Sequence, residues 1–171
     1  MAIGLRHRVG VAALELEGDE QVLEIGCGPG VATRLLAKAL PRGRVVALDQ
    51  SAKAIAQLTA GASDEIAAGR IVPRTAALED AGLAPQSFDA ILAINVDLNR
   101  RLGDRWPRLL ARFLKPSGRL VLAFEAPPGS RNGDLFTRNA TAALTGFGFS
   151  VSETRHDEDG QSVTVLHAVS T

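Results

Sequence analysis

Short apolar runs alternate with longer amphipathic stretches along the chain, and this alternation is the feature that most constrains its fold. The runs predict strands at residues 21–25, 44–48, 70–74, 88–94 and 119–124. The stretches between and around them predict helices at residues 5–17, 31–40, 52–68, 105–114 and 135–145. Two further strands, residues 149–154 and 163–169, flank a turn at Asp159 and Gly160 and are expected to form a hairpin.

The order of these elements predicts an α/β fold. Five strand–helix alternations followed by a hairpin are typical of a doubly wound, mostly parallel sheet of seven strands with helices on both faces. A chain of 171 residues has about the length of one domain, and its sequence contains neither an internal repeat nor a linker. We therefore expect residues 1–171 to form a single domain.

Charge and cysteine usage restrict the partners and the compartment. The chain has 19 basic and 19 acidic residues, and a net charge of zero argues against a nucleic-acid partner. Cys27 is the only cysteine, so an internal disulfide is impossible and a reducing compartment fits best. Residues 1–10 lack the apolar core of a signal peptide, and no apolar run is long enough to span a membrane. These observations predict a cytoplasmic protein with no membrane partner.

The first strand ends in a glycine-rich turn, which is the most informative segment. Gly26, Gly28 and Gly30 follow residues 21–25, where glycine allows a backbone to approach a ligand closely. In a doubly wound sheet this turn lies beyond the carboxyl end of a strand, where ligands bind. Asp49 ends the second strand about twenty residues later, in a position to accept hydrogen bonds from ribose hydroxyls. The pattern indicates an adenosine-containing cofactor.

Three details argue against a dinucleotide. The glycines have GxGxG spacing, and Val31 stands where a GxGxxG fingerprint has its third glycine. Glu24 places a carboxyl group close to the turn, which suits an ammonium or sulfonium group better than a pyrophosphate. Pro29 removes one N–H donor from the turn that would face the anion.

Together these segments resemble class I S-adenosylmethionine-dependent methyltransferases over nearly the whole chain. The resemblance is carried by residues 22–30, 45–49, 87–92 and 112–120, with Ser117 where glycine is more usual. It implies a Rossmann-like fold with an antiparallel last strand, and S-adenosylmethionine as the cofactor.

The resemblance also implies roles for individual residues. The glycines at 26, 28 and 30 would line the methionine part of the cofactor, with Cys27 as a small filler between them. Glu24 would interact with the amino end, Asp49 would hold the ribose, Gln50 would border the adenine, and Asn95 would lie near the sulfonium.

Many relatives have an acidic residue after the third strand that binds the adenine amino group. Ala76 stands at that position in this chain. The backbone at Ala77 and Leu78, or the side chain of Glu79, would serve instead.

No catalytic residue or metal cluster is assigned from the sequence. Asp97, Asn99 and Asp104 follow the fourth strand. Either one of the three is a general base, or Asn99 or Asp104 caps the next helix. His7 is interpreted as an exposed residue of the N-terminal helix. The alternative is a role at the site, because the N-terminal helix of the family can close over the cofactor. His156 is expected at an exposed hairpin tip and His167 in the sheet packing.

Most other notable residues after the fourth strand are interpreted as structural. Four arginines recur at helical spacing and are interpreted as a charged outer face: Arg101, Arg105, Arg108 and Arg112. Trp106, the only tryptophan, either borders a substrate pocket or packs in the core.

The resemblance implies methyl transfer to a small-molecule acceptor. The acceptor site would be bordered by the N-terminal helix and by residues 95–104 and 127–133, and would be open enough for closure by a second subunit in a homodimer. One alternative is a binding module that keeps the cofactor or its demethylated product without turnover. A nicotinamide-dependent oxidoreductase is a third hypothesis, which Glu24 and the glycine spacing disfavour.

Overall fold

The structure, a computed structural model, describes residues 3–126 and 132–170. Its strands are β1 (Gln21–Ile25), β2 (Arg44–Asp49), β3 (Ile71–Thr75), β4 (Phe88–Ile94), β5 (Leu114–Glu125), β6 (Phe149–Glu158) and β7 (Gln161–Ser170). Its helices are α1 (Leu5–Ala12), α2 (Val31–Ala39), α3 (Ala52–Gly61), α4 (Ser63–Ala67), α5 (Leu98–Leu102), α6 (Trp106–Phe113) and α7 (Asn132–Phe147), with a 3₁₀ turn at Gly103–Arg105. No helix within the described ranges is long and apolar enough to cross a membrane.

The seven strands form one sheet in the order β3-β2-β1-β4-β5-β7-β6. The first five strands are parallel, and β7 pairs antiparallel with both β5 and β6. This confirms the predicted doubly wound, mostly parallel sheet with an antiparallel last strand. The chain runs outward from β1 to β3 and then returns to place β4 on the other side of β1. The carboxyl ends of β1 and β4 therefore form the switch point at which ligands bind in such sheets.

Each face of the sheet packs against helices through its own apolar cluster. On one face, α1, α2 and α3 bury Leu5, Leu36 and Leu58 against the sheet. On the other face, α5, α6 and α7 bury Trp106 and Leu144. The Trp106 side chain is fully buried, and its indole N–H donates a 2.7 Å hydrogen bond to Asn99 Oδ1. Of the two interpretations of Trp106, the structure supports core packing.

Several predicted elements have different bounds for local reasons. The first helix ends at Ala12 rather than near residue 17, and Glu15 adopts a left-handed φ of 48°. The predicted helix 52–68 is broken into α3 and α4 at Ala62, which is buried and has a non-helical φ of −143°. Strand β5 begins at Leu114, five residues earlier than expected. The residues just before the predicted strand 119–124 therefore belong to β5, and among them Ser117 has a φ of 61°. That left-handed φ explains why glycine is more usual at this position.

The hairpin is longer than predicted, but its turn is in the expected place. Asp159 and Gly160 connect β6 to β7 with φ values of 50° and 76°. Two successive residues of positive φ are the requirement of a type I′ turn, which Asp-Gly satisfies well.

Candidate cofactor site

The three glycines of the loop after β1 all adopt left-handed φ values, of 70°, 53° and 83° for Gly26, Gly28 and Gly30. A Cβ on Gly26 would lie 2.6 Å from Val96 Cγ2, and one on Gly30 would lie 2.3 Å from Leu58 Cδ1. A Cβ on Gly28 would meet nothing within 4 Å. The outer two glycines thus allow close packing of the loop, whereas the central glycine borders open space.

The Asp49 carboxylate is held in position from two sides. Its Oδ2 atom accepts a 2.8 Å hydrogen bond from the Gly28 backbone N–H. Its Oδ1 atom accepts another, also 2.8 Å long, from the Ser51 backbone N–H. The backbone N–H groups of Gly26 and Cys27 both donate to the Leu48 carbonyl, which ties the loop to β2. Each carboxylate oxygen keeps a lone pair for an external donor such as a hydroxyl.

A cavity of about 270 Å³ opens beside Asp49, between the carboxyl ends of the strands and α5. Its apolar wall includes Leu48, Leu78 and Leu98, and its polar groups include Asp49 and Gln50. Leu48, Leu78 and Leu98 are buried. The combination of apolar walls with a carboxylate at one side suits a flat ring attached to a polyhydroxyl group.

The segment after β3 lines the cavity through three of its residues. Ala76, Leu78 and Glu79 are wall residues, whereas Ala77 is not one of them. Glu79 is exposed and is the acidic residue of this segment at the cavity wall. Of the candidates for an adenine contact, the structure brings Leu78 and Glu79 to the cavity.

Arg101 also lines the cavity, a role that the helical spacing of the arginines does not indicate. It belongs to α5, whereas Arg108 and Arg112 belong to α6. Gly103, at φ 55°, separates the two helices, so the four arginines do not share one continuous helical face. In the sequence, Gly103 indicates this break, because it interrupts the helical spacing of the arginines.

Glu24 lies behind the glycine loop and is 3% exposed. Its Oε2 atom accepts a 2.5 Å hydrogen bond from Thr33 Oγ1, a buried residue of α2. Burial raises the pKa of Glu24 to about 8; the Thr33 hydroxyl opposes this rise and the nearby Asp49 adds to it. The Glu24 carboxyl group is therefore mainly protonated at neutral pH, and a cation bound close to it would favour ionisation.

The surroundings of Cys27 do not activate its thiol. Its thiol is buried, with Sγ directed at the Gly28 carbonyl oxygen 3.6 Å away. Burial raises the pKa of the thiol, and the acidic residues Glu24 and Asp49 raise it further. A thiol without thiolate character is not a nucleophile, so the residue acts as a filler of the loop.

The carboxyl ends of β4 and β5 carry a second polar cluster. Asn95 follows β4 at φ 54°, and its Oδ1 atom accepts a 2.8 Å hydrogen bond from the Glu125 backbone N–H. The Glu125 carboxylate forms an ion pair with the Arg6 guanidinium of α1. Val96, next to Asn95, contacts the glycine loop at Gly26. This cluster therefore adjoins the loop from the β4 side, whereas Asp49 adjoins it from the β2 side.

Two of the three polar residues after β4, Asp97 and Asn99, have structural partners. Asp97, rather than Asn99 or Asp104, is the helix cap, because Asp97 Oδ1 accepts a 2.9 Å hydrogen bond from the Arg100 N–H. Asn99 accepts from Trp106, and α6 begins without a side-chain cap. The expectation that Asn99 or Asp104 caps the next helix was wrong. In the described part of the chain no cluster of His, Cys, Asp and Glu could hold a metal.

The loop predicted to border the acceptor, residues 127–133, lies outside the described residues except at 132 and 133, which begin α7.

Comparison with known proteins identifies the family. Residues 22–118 match the methyltransferase domain family. An uncharacterized 37.1 kDa protein in transposon Tn4556 of Streptomyces fradiae is 33% identical over 115 residues, covering 64% of this chain and 31% of that protein. An uncharacterized Synechococcus protein is 33% identical over 112 residues, covering 66% of this chain and 27% of its own length. The matches thus span less than a third of these curated relatives.

Solved structures share the fold at low sequence identity. A SAM-dependent methyltransferase from Aquifex aeolicus superposes with a TM-score of 0.80 at 14% identity, covering 98% of this chain and 90% of that one. A geranyl diphosphate C-methyltransferase from Streptomyces coelicolor, solved with S-adenosylhomocysteine, gives 0.75 at 14% identity, with 97% and 80% coverage. The [4+2]-cyclase SpnF gives 0.75 at 17% identity, with 96% and 81% coverage. The chain belongs to the methyltransferase domain family, as its sequence predicts, and has the fold of S-adenosylmethionine-dependent methyltransferases.

Proposed function

We propose that this chain binds S-adenosylmethionine and transfers its methyl group to a small-molecule acceptor. The observation that carries the proposal is the Asp49 carboxylate, oriented by the Gly28 and Ser51 N–H groups at the side of an apolar cavity. The residues present fit an adenosyl group. The cavity walls are apolar, the carboxylate has lone pairs for two hydroxyls, and the open space at Gly28 leaves room for the rest of the ligand.

Each part of the site has a role in this proposal. Asp49 would hold the ribose hydroxyls, and Gln50 and Leu78 would border the adenine. Glu79 or nearby backbone would reach the adenine amino group in place of a side chain at Ala76. The loop, with Gly26, Gly28 and Gly30, and the buried Glu24 would surround the methionine end. Asn95 would lie near the reacting centre.

The protein would promote methyl transfer mainly by aligning the acceptor with the methyl group. A sulfonium carries an activated methyl group, because a neutral thioether leaves when the methyl is transferred. The chain has to place an acceptor in line with that group and exclude water, and such positioning supplies much of the rate acceleration. The edge beyond β4 and β5, with α1 beside it, is the place for the acceptor.

The proposal also covers the domain organisation, the location and the partners of the chain. A single seven-stranded sheet takes strands from residues 21–25 through 161–170, which supports one domain over residues 1–171. The lone Cys27 and the zero net charge support a cytoplasmic location and argue against a nucleic-acid partner.

The first experiment is calorimetric titration with S-adenosylmethionine and S-adenosylhomocysteine, with NADH as competitor. We expect micromolar binding that NADH does not displace and that Asp49→Ala abolishes. Asp64→Ala, which removes an exposed carboxylate in α4, is the matched control and should bind normally. If neither methionine compound binds, the proposal is wrong. Binding without methyl transfer to any acceptor would favour the binding module instead.

A further inference from the structure

Helix α1 brings one histidine to the edge where the acceptor would bind. A Cβ on Gly10 would lie 3.3 Å from both Ala123 Cβ and Ile94 Cδ1, so this side of α1 packs on β4 and β5. His7 precedes Gly10 by three residues and shares its face of the helix. The Arg6–Glu125 ion pair shows that the helix begins above the carboxyl end of β5. His7 therefore lies where β4 and β5 end.

The environment of His7 keeps its imidazole neutral. The Nδ1 atom is buried beside Gly4 and makes no hydrogen bond of normal geometry within the described residues. The ring as a whole is partly exposed, which leaves its Nε2 edge as the part that a bound molecule could reach. Burial lowers the pKa of His7 and Arg6 lowers it further, while the Gly4 backbone and Glu125 act in the opposite direction.

The carboxylates nearby are already engaged. Glu125 is paired with Arg6, and Glu158, at the tip of β6, is paired with Arg8. Asp97 caps α5, and Glu24 is buried behind the loop. A cationic amine acceptor would therefore find no unpaired carboxylate among these four groups, whereas a neutral imidazole is available to accept a proton.

The borders of this edge also carry exposed apolar side chains. Ile3, just before α1, is 46% exposed, and Leu135, in the first turn of α7 after β5, is 54% exposed. Val96 is partly buried beside the glycine loop. Apolar groups around a polar centre favour an acceptor with an aromatic or aliphatic body and one protic group.

We infer that His7 accepts the proton from the hydroxyl group of a phenolic acceptor during methyl transfer. The inference rests on the proposed function and adds a substrate class and a catalytic residue to it. A phenol has a pKa near 10, as in tyrosine, so its hydroxyl benefits from a base at neutral pH.

The transfer is balanced in atoms and electrons. The phenolic oxygen forms a bond with the methyl carbon as the carbon–sulfur bond breaks, and the electron pair of that bond goes to sulfur. The hydroxyl proton goes to His7 Nε2 and then to solvent. The products are a methyl ether and a neutral thioether.

The activity test compares two phenols of different acidity. His7→Gln keeps a polar side chain but removes the base, and we expect it to slow methylation of phenol by about 10²- to 10⁴-fold. Methylation of 4-nitrophenol, which is already ionised at mildly alkaline pH, should fall by much less. His156→Gln, near the exposed hairpin tip, is the matched control and should behave like the unmodified chain.

A binding measurement supplies a readout that does not depend on turnover. The NMR signals of the His7 ring are followed during titration with phenol in the presence of S-adenosylhomocysteine. We expect the His7 signals to shift on phenol binding while those of His156 do not. Calorimetry should give the same affinity for S-adenosylmethionine in both histidine variants and the unmodified chain, which shows that His7→Gln has folded.

Three outcomes would overturn the inference. Cofactor binding without methylation of either phenol excludes the substrate class but leaves the proposed function standing. Equal loss for both phenols in His7→Gln, or no loss for either, excludes the proton-acceptor role. Failure of S-adenosylmethionine to bind the unmodified chain overturns the proposed function itself, and the inference with it.

Discussion

The Gly28 backbone N–H donates a 2.8 Å hydrogen bond to Asp49 Oδ2, and this bond joins the loop after β1 to the end of β2. Because Oδ1 accepts from Ser51 at the same time, each oxygen of the carboxylate accepts one backbone N–H and keeps one lone pair for a ligand. The residue proposed to hold the cofactor ribose therefore also holds the loop in place.

Asp49→Asn tests this double role. An amide has one oxygen, so one of the two backbone N–H groups loses its acceptor and faces an NH₂ group instead. We expect the free energy of unfolding to fall by about 1–3 kcal/mol, as measured by urea denaturation. Cofactor affinity should fall as well, by calorimetry. Unchanged stability would show that the two hydrogen bonds matter little in solution.

Gly28→Ala and Gly30→Ala should have different effects, although both residues have left-handed φ values. A Cβ on Gly28 meets open space, so the substitution should cost only the conformational strain of about 1–2 kcal/mol. A Cβ on Gly30 would overlap Leu58, which is fully buried, so its loss of stability should be larger. Thermal unfolding measures both variants.

Cofactor affinity separates the two glycines further. Gly28→Ala fills the space proposed for the ligand, so calorimetry should show weakened binding in a chain that remains folded. If Gly28→Ala binds S-adenosylmethionine normally, the ligand does not occupy the space beside the loop.

The raised pKa of Glu24 predicts a pH dependence of stability. In the unfolded chain the carboxyl group ionises near its ordinary pKa of 4.5, whereas in the folded chain it ionises near 8. Between these values the folded state binds the extra proton, so stability falls as pH rises, by up to about 1.4 kcal/mol per pH unit. Below pH 4.5 and above pH 8 this contribution becomes constant.

Urea denaturation at several pH values checks the prediction. Glu24→Gln cannot ionise and should lose this pH dependence, becoming more stable than the unmodified chain at pH 8–9. Glu153→Gln, an exposed glutamate of β6, is the control and should follow the unmodified chain. Parallel curves for all three proteins would mean that Glu24 ionises normally in the folded state.

The sheet could be predicted from the sequence because its determinants are local. The run from Phe88 to Ile94 is nearly all apolar, as required of a strand covered on both faces, and Asp159 with Gly160 meets the φ requirement of a tight hairpin. The break of the predicted helix at Ala62 is not indicated by that residue itself, because alanine favours helix, although the side chain is buried at the break.

The candidate site also has a part that the sequence predicts and a part that depends on tertiary contacts. The loop glycines and Asp49 are adjacent to strand ends, so sequence position alone places them at the switch point. Arg6 owes its role to a contact with Glu125, 119 residues away. Thr33 is nine residues from Glu24, and the two side chains meet only because α2 packs against the sheet. No local pattern contains such contacts.

Arg101 is a basic residue in the wall of the cavity beside Asp49. The same wall also includes Leu98 and Gln50. Arginine attracts the face of an aromatic ring, by about 0.5–1 kcal/mol at exposed sites. We therefore expect Arg101→Ala to weaken S-adenosylmethionine binding by about 2- to 5-fold, with unchanged thermal stability because the residue is exposed. Arg108→Ala, an exposed arginine of α6, is the matched control and should leave the affinity unchanged. Equal affinities for the two variants would show that Arg101 is a solvated surface charge that does not contact the ligand. Binding of the adenine would then depend on the apolar walls of the cavity and on Glu79.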